Sequence, residues 1–196
     1  MAYAEDGCLV DDVQQFRPGE EIKSRLEALH IEVNSINYII NSHLHWDHTG
    51  GNELIPNAKI IIQKKEWEAG YLPEMIHSNG FNPQDYNHGH QIFQIEGEYD
   101  LFGDGSVVTV PTYGHTPGHQ SLKVKLQTGE IILAADACYF RQTIQNLHLP
   151  SIVYDKHQML QSLKKLQILQ AAGARIFYGH DPEFWQDVPQ APAEIT

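Results

Sequence analysis

The sequence predicts a mixed α/β fold, and three observations carry that prediction. Short apolar runs of strand length recur through the chain of 196 residues. Two stretches, near residues 20–30 and 155–173, show the apolar spacing of amphipathic helices instead. Residue types able to hold a metal gather where the apolar runs end, and strand ends are where α/β scaffolds carry their chemistry. No repeat, low-complexity tract or linker divides the chain, so residues 1–196 read as a single domain with a sizeable core.

The elements follow in order. Pro18-Gly19-Glu20-Glu21 opens a helix to about His30, because proline and early acids mark a helix start and Ile22, Leu26 and Leu29 form a stripe. Ile36-Asn37-Tyr38-Ile39-Ile40 reads as a buried strand, and a flexible turn, Thr49-Gly50-Gly51-Asn52, lies beyond it. A short strand at 59–63 and a short helix at 64–69 come next. Residues 70–105 are rich in Gly, Pro, Asn and Tyr and carry His77, His88 and His90. They are expected to form a long loop with short strands on a substrate rim. Strands are predicted at 106–110, 121–126 and 130–135, the last two joined as a hairpin through Gln127-Thr128-Gly129. Asp155 is placed as the N-cap of a helix ending at Gly173, with Met159, Leu160, Leu163, Leu166, Leu169 and Ala172 on its buried face. A final strand at 175–178 runs into Gly179-His180-Asp181.

Composition narrows the function classes. Asp and Glu total 25 against 13 Lys and Arg, a formal net charge of −12. Phosphate backbones are bound by Lys and Arg, so a nucleic-acid partner is disfavoured. Two distant cysteines, Cys8 and Cys138, form no disulfide framework and fit a reducing compartment. The first residues carry neither a basic segment nor an apolar one, and no run approaches the ~20 apolar residues of a membrane helix. The expected location is the cytoplasm, with no membrane partner.

The most informative segment is Ser42-His43-Leu44-His45-Trp46-Asp47-His48. His43, His45, Asp47 and His48 offer three imidazoles and a carboxylate from one loop, the donor types that suit zinc and its neighbours. Four donors in six positions exceed what one ion needs from one loop, which points to two metals side by side. Other candidates sit at strand ends. Gly114-His115-Thr116-Pro117-Gly118-His119 is a tight turn between two strands, Asp136 follows an apolar strand, and His180 ends the last one. Taken singly, each has a plainer reading: His119 and His180 as surface polar residues, Asp136 as a turn cap.

These residues resemble the metallo-β-lactamase superfamily in the order His43-x-His45-x-Asp47-His48, then His119, Asp136 and His180. Three segments narrow the resemblance to N-acyl homoserine lactonases, the quorum-quenching branch: residues 115–122, Asp136-Ala137-Cys138-Tyr139, and Tyr178-Gly179-His180-Asp181. The resemblance implies a four-layer αββα sandwich. It implies one metal held by His43, His45 and His119, a second held by Asp47, His48 and His180, and Asp136 bridging the two together with a hydroxide. The ions would be divalent, zinc first, with manganese, iron or cobalt as alternatives. The implied reaction is hydrolytic opening of a small lactone or ester. Tyr139 would donate a hydrogen bond to the oxyanion and Asp47 would shuttle a proton to the leaving alkoxide. Tyr139 has an alternative reading as a packed ring, His115 reads as a turn residue beside the ligands, and Trp46 as core or pocket wall. The family's opening strands are expected to be missing here, with Glu5-Asp6-Gly7-Cys8 a remnant of the turn that ends them.

Rival functions remain in view. A thioester hydrolase like glyoxalase II, or an iron persulfide dioxygenase, would want a basic patch for glutathione, and no Lys or Arg cluster follows Asp136. Flavodiiron-type oxidoreductases want Glu where His45 stands, and nucleases of the superfamily are disfavoured by the charge. A non-catalytic homologue that keeps the metals to bind a ligand is the alternative from another class.

Overall fold

The computed structural model describes Gly19 and residues 21–196. The helix start read at Pro18 and Glu20, and the turn read at Glu5-Asp6-Gly7-Cys8, lie outside those residues.

Two sheets organise the described chain. The first has three parallel strands in the order β1 (Tyr38–Ile40), β2 (Lys59–Gln63), β3 (Ile92–Ile95). Parallel neighbours need crossover connections. Here they carry α2 (Trp46–Thr49), then α3 (Lys64–Ala69) and α4 (Pro73–Ser78). The second sheet runs β4 (Tyr99–Asp100), β5 (Val107–Pro111), β6 (Gln120–Leu126), β7 (Gly129–Ala135), β8 (Arg175–Tyr178). It is antiparallel except that β8 lies parallel to β7, across a connection containing α5 (Arg141–Asn146) and α6 (Lys156–Ala171). A short α7 (Pro182–Asp187) follows β8, and α1 (Ile22–Ala28) precedes β1.

Strand alternation decides where the helices go. Ile60 and Ile62 of β2 face one way and bury against Ala69, Met75, Phe81 and Tyr86. Ile132 and Ala134 of β7, with Ile176 and Tyr178 of β8, bury against Ile144, Leu163 and Leu166 of the helices. Each fully buried aliphatic side chain contributes about 1.5–3 kcal/mol, so these two clusters hold helices on the outer face of each sheet. The inner faces meet through polar bridges. Gln63 donates to the Gln120 side chain at 2.9 Å, and Gln120 donates to the Asn41 carbonyl at 2.8 Å. The layering is therefore helix, sheet, sheet, helix, as the resemblance implied. Among the described residues no helix is long and apolar enough to cross a membrane.

The strands at 59–63 and 175–178 and the helix at 64–69 form as read, and Asp155 caps α6 by accepting from the amides of His157 and Gln158. Three expectations need correction, and α1 adds an observation of its own. The run at 36–40 was read as a buried strand, yet among the described residues β1 is half-buried at the edge of its sheet and β2 takes the centre. The α1 stripe buries no residue. On α6, Met159, Leu163 and Leu166 are buried with Ser162, whereas Ala172 at the frayed end is exposed. Residues 70–105 contain a helix, α4, whose Pro73 sits in its first turn and whose Met75 is buried.

Candidate metal centre

The site is built where four chain segments leave the sheets together. After β1, the buried Asn41 pairs with Asn52 at 3.0 Å and donates to the His48 carbonyl at 3.1 Å. This pair folds residues 42–52 back on themselves and makes α2 a single turn carrying Asp47 and His48. His115 sits on the turn between β5 and β6, held by the amide of Tyr154 donating to its carbonyl at 3.1 Å. Asp136 leaves β7 through a register break at residues 133–135, where Ala135 adopts a left-handed φ of 47°. A non-glycine residue there carries strain of the kind found at functional sites. His180 follows β8, its amide donating to the Tyr139 carbonyl at 3.0 Å.

Two donor groups result. His43, His45, His115 and Asp136 form one, and Asp47, His48 and His180 form the other, the donor atoms within each lying within 4.8 Å of one another. Asp136 stands between them. Its Oδ2 lies 3.3 Å from His115 Nε2, and its Oδ1 lies 3.0 Å from both His48 Nε2 and His180 Nε2.

The hydrogen-bond partners fix the tautomers of the first group. His45 Nε2 donates to the Asn79 carbonyl at 2.8 Å, and a carbonyl can only accept, so the Nδ1 lone pair points inward. His115 Nδ1 faces the Ile152 carbonyl at 3.4 Å, which turns the Nε2 lone pair inward as well. His43 Nδ1 bonds the Ser42 hydroxyl at 3.0 Å. His45 Nδ1 then lies 3.0 Å from both His43 Nε2 and His115 Nε2. Converging lone pairs repel unless a cation sits among them, and a ligating imidazole ordinarily donates its other nitrogen as these rings do. In the second group, His48 Nε2 faces two carboxylates, Asp136 Oδ1 at 3.0 Å and Asp47 Oδ2 at 3.4 Å. The donor set fits two cations.

Electrostatics agree. Burial holds His43 well below the usual imidazole range and lowers His45, while burial takes His115 to about 4. The three imidazoles of the first group are therefore neutral and ready to coordinate. Burial opposes charge on His48 too, but Asp136 and Asp47 outweigh it and raise the ring to about 10. Burial likewise opposes the charge of Asp136, and the histidines His180, His48 and His43 around it keep the carboxylate well below its ordinary range.

The turn between β5 and β6 brings two histidines to the centre. His119, expected as a ligand, lies outside both groups. Its Nε2 accepts from the Asp136 amide at 3.2 Å and its Nδ1 bonds the Thr112 hydroxyl at 2.9 Å, so both nitrogens are engaged by protein. His115, expected as a turn residue, lies within the first group, its Nε2 3.0 Å from His45 Nδ1. Glu66, buried beside both loops, was also missed.

Tyr139 is buried beside the site with its hydroxyl 3.5 Å from His115 Nδ1. A cavity of about 260 Å³ opens onto the centre, lined by Trp46, Asp47, Asn79, Asp136, Tyr139 and Ile152 among others. Trp46 is thus pocket wall rather than core.

Known proteins resemble this chain in sequence and fold. Residues 11–180 match the metallo-beta-lactamase superfamily model. The N-acyl homoserine lactonase AttM of Azorhizobium caulinodans is 33% identical over 183 residues, covering 90% of this chain and 70% of that protein. The N-acyl homoserine lactonase AiiA of Bacillus thuringiensis subsp. kurstaki is 34% identical over 167 residues, covering 84% of this chain and 63% of that protein. The structure of an N-acyl homoserine lactone hydrolase with the product N-hexanoyl-L-homoserine at its catalytic metal centre superposes with a TM-score of 0.80 and 31% identity, over 92% of this chain and 70% of that one. The chain therefore spans about two thirds of the length of these curated relatives. With the donor geometry and these likenesses together, the chain belongs to the metallo-beta-lactamase superfamily, beside the N-acyl homoserine lactonases within it.

Proposed function

We propose that this protein is a two-metal hydrolase that opens the lactone ring of N-acyl homoserine lactones or similar esters. The observation that carries the reading is Asp136, one carboxylate shared between two donor groups at the floor of the cavity. Its relatives' names and the product held at the metal centre of the similar hydrolase support the substrate class. His43, His45 and one histidine of the turn would hold one ion, His119 as the resemblance implies or His115 as the donor distances favour, and Asp47, His48 and His180 would hold the other, with Asp136 between them. Two divalent cations, zinc first for such nitrogen and carboxylate donors, would supply Lewis acidity and a nucleophile available at neutral pH when bound.

The chain's own groups do the rest. The Tyr139 hydroxyl borders the cavity and donates a hydrogen bond to the oxygen that gains charge as the ring carbonyl is attacked, a role that can contribute a few kcal/mol. Asp47 lines the same cavity and carries a proton to the leaving alkoxide. Trp46 and Ile152 offer apolar wall to an acyl chain.

The test is to load the protein with zinc, count metal per chain, and assay an N-hexanoyl homoserine lactone beside a glutathione thioester with oxygen uptake monitored. Ring-opened acid from the lactone is the expected product. Two metals bound with no lactone hydrolysis would reject the reading. Thioester turnover would point to a glyoxalase II-like enzyme, and oxygen uptake to the dioxygenase.

A further inference from the structure

We infer that Glu66 is a positioning residue whose carboxylate ties together the two loops that carry His43, His45 and His115. The inference rests on reading histidines of those two loops as metal ligands.

Glu66 lies on the first turn of α3 and is wholly buried. Its Oε1 accepts from the amide of Leu44 at 3.0 Å, and its Oε2 accepts from the amide of Gly118 at 2.7 Å. Leu44 is the residue between His43 and His45. Gly118 closes the turn that begins at His115 and precedes His119, which in turn supports the Asp136 amide. One side chain from a third element therefore holds both loops, each by a single backbone hydrogen bond. The approach is close enough to dictate the sequence at 118: a Cβ there would lie 2.3 Å from the Glu66 backbone nitrogen. A buried carboxylate is costly unless its oxygens are well satisfied, and a neutral side chain would fill the same space at lower cost. What the carboxylate alone supplies is two acceptors on one rigid plane. Glutamine keeps the shape but exchanges one acceptor for an NH2 donor, so one of the two amides would face another donor. Burial pushes the carboxyl up to about 7, opposed by the Thr116 hydroxyl and the two amides. The amides thus work to keep it an acceptor.

The experiment compares wild type, Glu66→Gln and Gly118→Ala by competition of cobalt and zinc against a chelator, with the visible spectrum of the cobalt protein and circular dichroism of the metal-free protein. These readouts do not depend on which substrate is turned over, so loss of the proposed activity would leave them intact. Expected for Glu66→Gln are a folded metal-free chain, one ion held as in wild type, an altered cobalt spectrum, and the other ion weakened about 10–100-fold, the usual cost of losing a group that supports ligands. Glu66→Asp, which keeps both acceptors, should recover part of that loss. Unchanged affinities and spectrum in Glu66→Gln would overturn the inference. If Glu66→Gln fails to fold, Gly118→Ala decides: the added methyl pushes the turn off Glu66 and should weaken one ion likewise, while unchanged binding overturns the inference. Failure of all the variants to fold would make Glu66 a folding residue and overturn it as well.

Discussion

His45 Nδ1 lies 3.0 Å from His115 Nε2, although 70 positions separate the two residues. Both lone pairs point into the same gap, and His119 takes no part in it.

The first expectation concerns those histidines. Substituting His115 by Ala should lower bound metal from two ions toward one per chain and cut activity far below wild type. Substituting His119 by Gln should leave two ions bound, with affinity or activity lower by about 10–100-fold, where it supports Asp136, and should lose one ion where it is itself the ligand that the resemblance implies. Metal analysis of the dialysed proteins checks this. Two ions in the His115 variant and one in the His119 variant would reverse the assignment.

Tyr139 is the residue to vary for chemistry. Phe in its place keeps the buried ring but removes the hydroxyl that borders the cavity. The turnover number on a lactone should fall about 100-fold with little change in KM, as expected when a donor to a developing oxyanion is lost. A protein that merely binds the lactone would show unaltered affinity and no turnover to lose. Steady-state kinetics with both proteins separates the cases.

Gly114 should resist any side chain. Its φ is +126°, and a Cβ would lie 2.1 Å from the backbone nitrogen of Met159 on α6. Neither the glycine nor a helix backbone can move cheaply. Gly114→Ala should cost at least about 1–3 kcal/mol by overpacking alone, and it should loosen the turn that carries His115. Denaturant unfolding of the metal-free protein measures the first effect and metal affinity the second.

Glu66 gives a pH expectation with a definite sign. The unfolded carboxyl titrates near 4.5, while burial raises the folded one to about 7. Between those values the folded chain holds the proton that the unfolded chain has released. Stability from this group is therefore complete below the unfolded value and is lost as pH rises through about 7. The full span is roughly 3 kcal/mol at 1.36 kcal/mol per unit. Urea unfolding of metal-stripped wild type at pH 5 and pH 8 should show the fall, and Glu66→Gln should flatten it. Equal pH slopes for the two proteins would contradict it.

Local chemistry made much of this legible in sequence. β2 and β8 are short apolar runs bounded by polar or glycine residues, and α6 carries a cap at Asp155 and a glycine past its end, so their limits could be read directly. The spacing of His43, His45, Asp47 and His48 betrayed a metal because four donors on one loop have few other uses. What stayed hidden depends on partners distant in sequence. The exposure of β1 follows from its place at a sheet edge, which no run of Ile and Tyr reveals. α4, α5 and α7 are only six residues each, too short for a periodic pattern to stand out. His115 and His119 differ only in which way the turn aims them, and that direction is set by α6 and by Thr112. Glu66 looked like one more acid on a short helix until the two loops closed over it.

The bridge of Gln63, Gln120 and Asn41 has a consequence for motion. The donor loops depart from different sheets, and the polar contacts joining those sheets are few and lie beside the centre. Cations seated there would act as rivets across the seam, each occupied site favouring the native state by mass action. Chelation should then let the halves breathe apart, and amide exchange would quicken first along β1 and β6.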